Sequence, residues 1–101
     1  MPAKNNDSEP LALFTVICRY RDGTYVEQLR AKGLPEAIEG WIQRALRSST
    51  VPVPINEIPI IADQLTSEGP IAIQDCVSAW VATAFPESGP VWLDIIKTAL
   101  E

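Results

Sequence analysis

The sequence predicts an α+β domain: an antiparallel sheet from two β-hairpins, with one long and one short helix packed on one face. Three observations predict it. An Asp22-Gly23 pair separates two runs of alternating apolar and polar residues. Pro35 opens a stretch whose apolar residues recur at helical spacing. Two apolar runs, 77–85 and 91–98, flank Pro86-Glu87-Ser88-Gly89-Pro90. Helices gathered on one face of an antiparallel sheet are a stable layered solution for a small core. The chain has 101 residues, the size of one domain. Its 47% hydrophobic content is that of a protein held by packing, without metal or disulfide staples.

Residues 1–10 read as a disordered leader, because they lack the apolar groups that would offset the entropy of ordering. Residues 11–101 read as a single domain. The first hairpin is expected over Leu13–Tyr20 and Thr24–Ala31. A two-residue type I′ turn needs positive φ at both central positions, which Asp22-Gly23 tolerates. That turn pairs Tyr20 with Tyr25, Cys18 with Glu27, Val16 with Leu29 and Phe14 with Ala31. Phe14, Val16, Cys18 and Leu29 then fall on the buried face, and Thr15, Arg19, Gln28 and Arg30 on the exposed one.

The long helix is expected over Pro35–Arg47. Proline suits the first helical position, where a backbone N–H would have no partner. Leu34, Ala37, Ile38, Trp41, Ile42, Ala45 and Leu46 follow helical spacing. Glu36 and Glu39 near the start, and Arg44 and Arg47 near the end, complement the helix dipole. Gly40 costs about 1 kcal/mol against alanine, a cost that a close backbone approach would explain. Val51-Pro52-Val53-Pro54 should be extended and stiff. The short helix is expected over Pro59–Ser67, with Ile60, Ile61 and Leu65 facing the core and Gly69-Pro70 ending it.

In the last third, Val77–Phe85 and Val91–Thr98 read as strands, with Gly89 as the left-handed residue of a bulged turn. A three-residue loop places Trp80 and Trp92 on one face; a four-residue loop shifts the pairing by one and separates them. A helix through Trp92, Ile95, Ile96, Ala99 and Leu100, capped by Ser88, competes with this reading, because periodicity alone does not settle short apolar runs. As strands, both faces of the second hairpin are apolar. The helices can cover one, and the other needs the proline-spaced connector or a second subunit.

The chain has no histidine, which removes histidine-dependent triads and the commonest general base at neutral pH. It has no phosphate-binding glycine loop. Two cysteines, Cys18 and Cys76, are too few for a disulfide framework and suit a reduced compartment. No segment is long and apolar enough to span a bilayer, and the polar start is no signal peptide. A cytoplasmic location is expected. The net charge of −5 opposes non-specific binding to nucleic acid or anionic lipid.

Candidate residues remain. Arg19, Arg21 and Arg30 cluster on the outer face and tip of the first hairpin and suit phosphate or an acidic partner. Glu27 interrupts an apolar face; desolvated, it could act as a general acid or base with Tyr20 and Tyr25 in a pocket between sheet and helix. At the sheet edge it would instead reach solvent. Cys18 reads as core, and Glu36 with Glu39 as acids serving the dipole rather than a metal. No catalytic residue, cofactor or metal site is expected. Trp41 belongs to the core, whereas Trp80 and Trp92 are candidate interface residues.

Arg21-Asp22-Gly23-Thr24-Tyr25-Val26, followed by Leu34-Pro35-Glu36-Ala37-Ile38-Glu39, resembles the hairpin-then-helix opening of HicB-like antitoxin domains and of similar small uncharacterised bacterial domains. The resemblance spans residues 11–46 and implies toxin binding or DNA binding. It departs from that pattern at Ala31-Lys32-Gly33, which leaves no room for a third strand, and in having no DNA-binding tail. The expected function is a non-catalytic protein-interaction or regulatory module; the alternatives are a small-ligand-binding protein or enzyme using Glu27 and the tyrosines, and an anion- or nucleic-acid-associated accessory protein using Arg19, Arg21 and Arg30. A homodimer is expected, joined through the C-terminal hairpin with Trp92 as anchor, and beside it a further, unidentified protein partner.

Overall fold

The computed structural model describes residues 11–98; the leader expected at 1–10 lies outside them. Strands β1 (Ala12–Tyr20), β2 (Gly23–Ala31), β3 (Ile71–Ala72), β4 (Ala79–Ala84) and β5 (Val91–Thr98) form one antiparallel sheet in the order β2-β1-β5-β4-β3. Helices α1 (Leu34–Trp41) and α2 (Ile58–Ser67) pack on one face of it. The α+β class is as expected. The two hairpins meet side by side through β1 and β5, and the unanticipated two-residue β3 extends the sheet. Strands, and not a helix, occupy 79–84 and 91–98.

The first hairpin buries the expected face by a different register. Tyr20 pairs with Gly23, Cys18 with Tyr25, Val16 with Glu27 and Phe14 with Leu29. The loop is Arg21-Asp22, and Arg21 carries the positive φ, 56°. Gly23 is instead the first residue of β2, beneath the Tyr25 ring, where a Cβ would collide with that ring. Moving the turn back lengthens the ladder to nine pairs. The register moves by two residues, so no side chain changes face. Phe14, Val16, Cys18 and Leu29 are buried, while Arg19, Gln28 and Arg30 are exposed and Thr15 is half-buried.

Helix α1 continues into a π-helical turn over Ile42–Leu46, closed by Arg47 N–H donating to the Ile42 carbonyl at 3.1 Å. The apolar pairs Ala37/Ile38, Trp41/Ile42 and Ala45/Leu46 repeat every fourth residue, and all are buried. A pure α-helix would rotate them off the core by about 40° per repeat; the wider π turn takes up that drift. Gly40 sits where α1 crosses β2, and a Cβ there would lie 2.7 Å from Leu29 Cδ1. In α2 the buried stripe is Ile58, Ile61 and Leu65. Ile60, expected in the core, is 49% exposed because it lies one residue off that stripe.

In the second hairpin Trp80 pairs with Ile95 and Thr83 with Trp92. This is the parity of the four-residue alternative, and it sends the tryptophans to opposite faces. Gly89, at φ 140°, donates its N–H to the Pro86 carbonyl, which closes a turn within the wider loop. Trp80 is half-buried against the core, whereas Trp92 is 44% exposed. The connector does not cover the second face. Val51 is fully buried in the core on the helix side, and Val53 packs beside it.

Candidate functional site

The helix-free face of the sheet is built from residues that alternate outward along each strand. Across its middle the ladders align Val26, Ile17, Asp94, Val81 and Ile71, one from each strand. The next row toward the hairpin tip is Thr24, Arg19, Trp92 and Thr83, and on the other side lie Gln28, Thr15, Ile96 and Ala79. Val26, Trp92, Ile96 and Ile71 are well exposed. Asp94 is the one acid in this apolar middle row, and both its oxygens are engaged. Arg19 Nη1 donates to Oδ2 at 2.7 Å, and Trp92 Nε1 donates to Oδ1 at 3.0 Å. The carboxylate thereby holds a guanidinium and an indole side by side and restricts the rotamers of both.

Beside this pair a shallow cleft of about 440 Å³ is lined by Arg19, Arg21, Pro90 and Trp92. Two sets of sequence candidates thus converge, because Arg19 and Arg21 share one cleft with Trp92. Arg30 does not join them. It pairs with Leu13, six residues along β2 from the neighbour of Arg19, or roughly 20 Å at strand rise. Trp80 is on the opposite face. A smaller cleft of about 210 Å³ lies between the helices, lined by Pro35, Ile38, Glu39, Leu65, Thr66 and Pro70.

Neither of these two clefts is lined by Tyr20, Tyr25 or Glu27. Glu27 accepts an ion pair from Arg44 Nε at 3.2 Å, and the Tyr25 ring covers Gly23. Tyr20 is buried, and its hydroxyl enters a network that sequence reasoning missed. Ser88 Oγ lies 2.7 Å from Tyr20 Oη and donates to Glu57 Oε1 at 2.6 Å. Since Ser88 gives its one proton to Glu57, the Tyr20 hydroxyl donates to Ser88. Glu57 is the one buried acid among the described residues, 8% exposed, at the end of a 3₁₀ turn before α2. Ser88 lies 31 residues from Glu57 and 68 from Tyr20 along the chain, so no local pattern announces the network. Asp94 did leave a signal, as a lone acid within an apolar strand.

Burial pushes the Cys18 thiol up to about 12, from an ordinary 9.0. Folding therefore favours its protonated form, and the stability this group contributes is complete below about pH 9 and falls as pH rises from there toward 12. Cys76 is exposed. A thiol-specific colorimetric reagent at neutral pH should titrate one thiol rapidly in the native protein and two in denaturant. Rapid labelling of two native thiols would contradict the placement of Cys18.

Among the described residues no three His, Cys, Asp or Glu side chains are grouped to hold a metal, and no helix is long and apolar enough to cross a membrane. No protein-family model, curated protein or solved structure matches this chain.

Proposed function

We propose that this chain is a non-catalytic protein-interaction module that self-associates and docks a further protein on its helix-free sheet face. The observation that supports this reading is the apolar row Val26, Ile17, Val81 and Ile71, exposed at its two ends and half-buried between them, with Trp92 and Arg19 oriented beside it by Asp94. Tryptophan and arginine dominate binding energy where they anchor an interface, and side chains held in place before binding lose less entropy on docking. The matching partner surface is apolar at its centre and carries a carboxylate toward Arg19 and Arg21. The resemblance of the hairpin and helix to HicB-like antitoxin domains also implies a protein partner. Two thiols left free, Cys18 and Cys76, suit a reducing cytoplasm.

The test is native affinity purification with the wild type beside Trp92→Glu. Trp92 is exposed, so the variant should keep the wild-type circular dichroism, yet a charge now stands in the docking face. Proteins retained by the wild type should be lost by the variant. Recovery of the same proteins, in equal amount, by folded Trp92→Glu would overturn the face as the docking surface.

A further inference from the structure

The two edges of the sheet are treated differently. On one side β3 is only two residues long, which leaves little backbone for another chain to pair with. On the other side β2 runs for nine residues with an unbroken ladder, no proline and no lysine. The hairpin ladder decides which of its backbone groups are free. Tyr20 and Gly23 flank the two-residue loop, so they exchange both hydrogen bonds, and alternate residues of β2 repeat that arrangement. The backbone groups of Gly23, Tyr25, Glu27 and Leu29 therefore face β1. Those of Thr24, Val26 and Gln28 face away from the sheet.

We propose that two copies of this chain join through β2, antiparallel about a two-fold axis, with Val26 opposite the partner's Val26. The inference rests on the reading of the chain as a self-associating module, and it names the surface. The strand is self-complementary in this register. Val26, 62% exposed, is covered by its own symmetry mate. Thr24 stands opposite Gln28, and on the other face the Tyr25 phenol stands opposite the Glu27 carboxylate. Centring the pair on Glu27 instead would set two carboxylates directly across from each other, which destabilises a sheet. Glu27 thus disfavours that register, and the uncharged outward run Thr24, Val26, Gln28 suits the one centred on Val26. The product is a single ten-stranded sheet in which the two Trp92 faces lie side by side and remain open to a different protein. The two-fold, same-patch arrangement is the commonest way that chains close an assembly.

Light scattering after size exclusion, at tens of micromolar, should give twice the chain mass of 11.1 kDa. Val26→Lys places like charges across the axis and should reduce the mass to one chain with unchanged circular dichroism. Trp92→Glu should leave the dimer intact. Hydrogen-bonded antiparallel pairs have Cα atoms about 5.5 Å apart, within disulfide reach. In a Cys76→Ser background, Val26→Cys should therefore oxidise to a covalent dimer, while Thr24→Cys, displaced from its own mate, should stay monomeric in denaturing electrophoresis. A dimer that survives Val26→Lys, dissociates with Trp92→Glu, or cross-links as readily at Thr24 as at Val26 overturns the edge pairing and leaves the self-associating module standing. A monomeric wild type overturns both.

Discussion

Trp41→Ala should remove about 3–5 kcal/mol of stability, the range found for buried aromatic truncations. Trp41 is 1% exposed and lies at the junction of α1 with its π turn, facing the sheet. Its indole is the largest fully buried side chain of the described residues. The neighbours that would have to close the cavity are constrained. Gly40 already brings the helix close to Leu29, and the π turn fixes the depth of Ala45 and Leu46. Against a usual total of about 5–15 kcal/mol, the loss is enough to leave a large unfolded fraction. Urea titration followed by tryptophan fluorescence and circular dichroism measures it. A loss below about 1 kcal/mol would mean that the helix does not depend on this side chain.

Ser88→Ala should cost about 2–3 kcal/mol, well above the cost of losing a surface hydroxyl, because it strands two buried groups at once. The Tyr20 hydroxyl loses its acceptor, and Glu57 loses a charge-assisted donor at 2.6 Å. Both residues are buried, so water replaces the hydroxyl poorly. Glu57→Gln should cost less, since the amide oxygen still accepts from Ser88 and no charge is left behind. The ordering is the informative result. If Glu57→Gln were the worse of the two, the carboxylate itself and not the hydroxyl chain would be holding the β4–β5 loop. Equilibrium denaturation of both variants decides.

The parts of this fold that follow from short-range chemistry were legible before the structure. Alternation along 12–31 identified the buried face of the hairpin, and the four-residue repeat of apolar pairs identified the buried side of α1. The strict fourfold spacing also carried the π turn, which a reading tuned to 3.6 residues passes over. The register of the first hairpin was not legible. Asp-Gly signals a turn, yet Arg21 can adopt a left-handed conformation when that adds pairs to the ladder, and a shift of two leaves every face unchanged. The parity of the second hairpin turned on a loop pinned by Ser88, whose partners are far away in the chain. The candidate site was legible in pieces. Arg19, Arg21 and Trp92 stood out individually, but only the pairing of β1 with β5 brings them together, and Asp94 has no evident role until it does.

That pairing also governs how the domain is assembled. Arg19 meets Trp92 and Cys18 meets Leu93, so the middle of the sheet joins segments more than seventy residues apart. The entropy of closing such a span must be met before the contacts return anything. Proteins dominated by pairings of this kind fold in milliseconds to seconds, whereas helical chains of similar size need microseconds to milliseconds. During synthesis the β1–β2 hairpin and both helices emerge first and wait, with one side of β1 unpaired, until β5 follows. For that interval the nascent chain carries two free strand edges, β1 and β2, at which another strand can add.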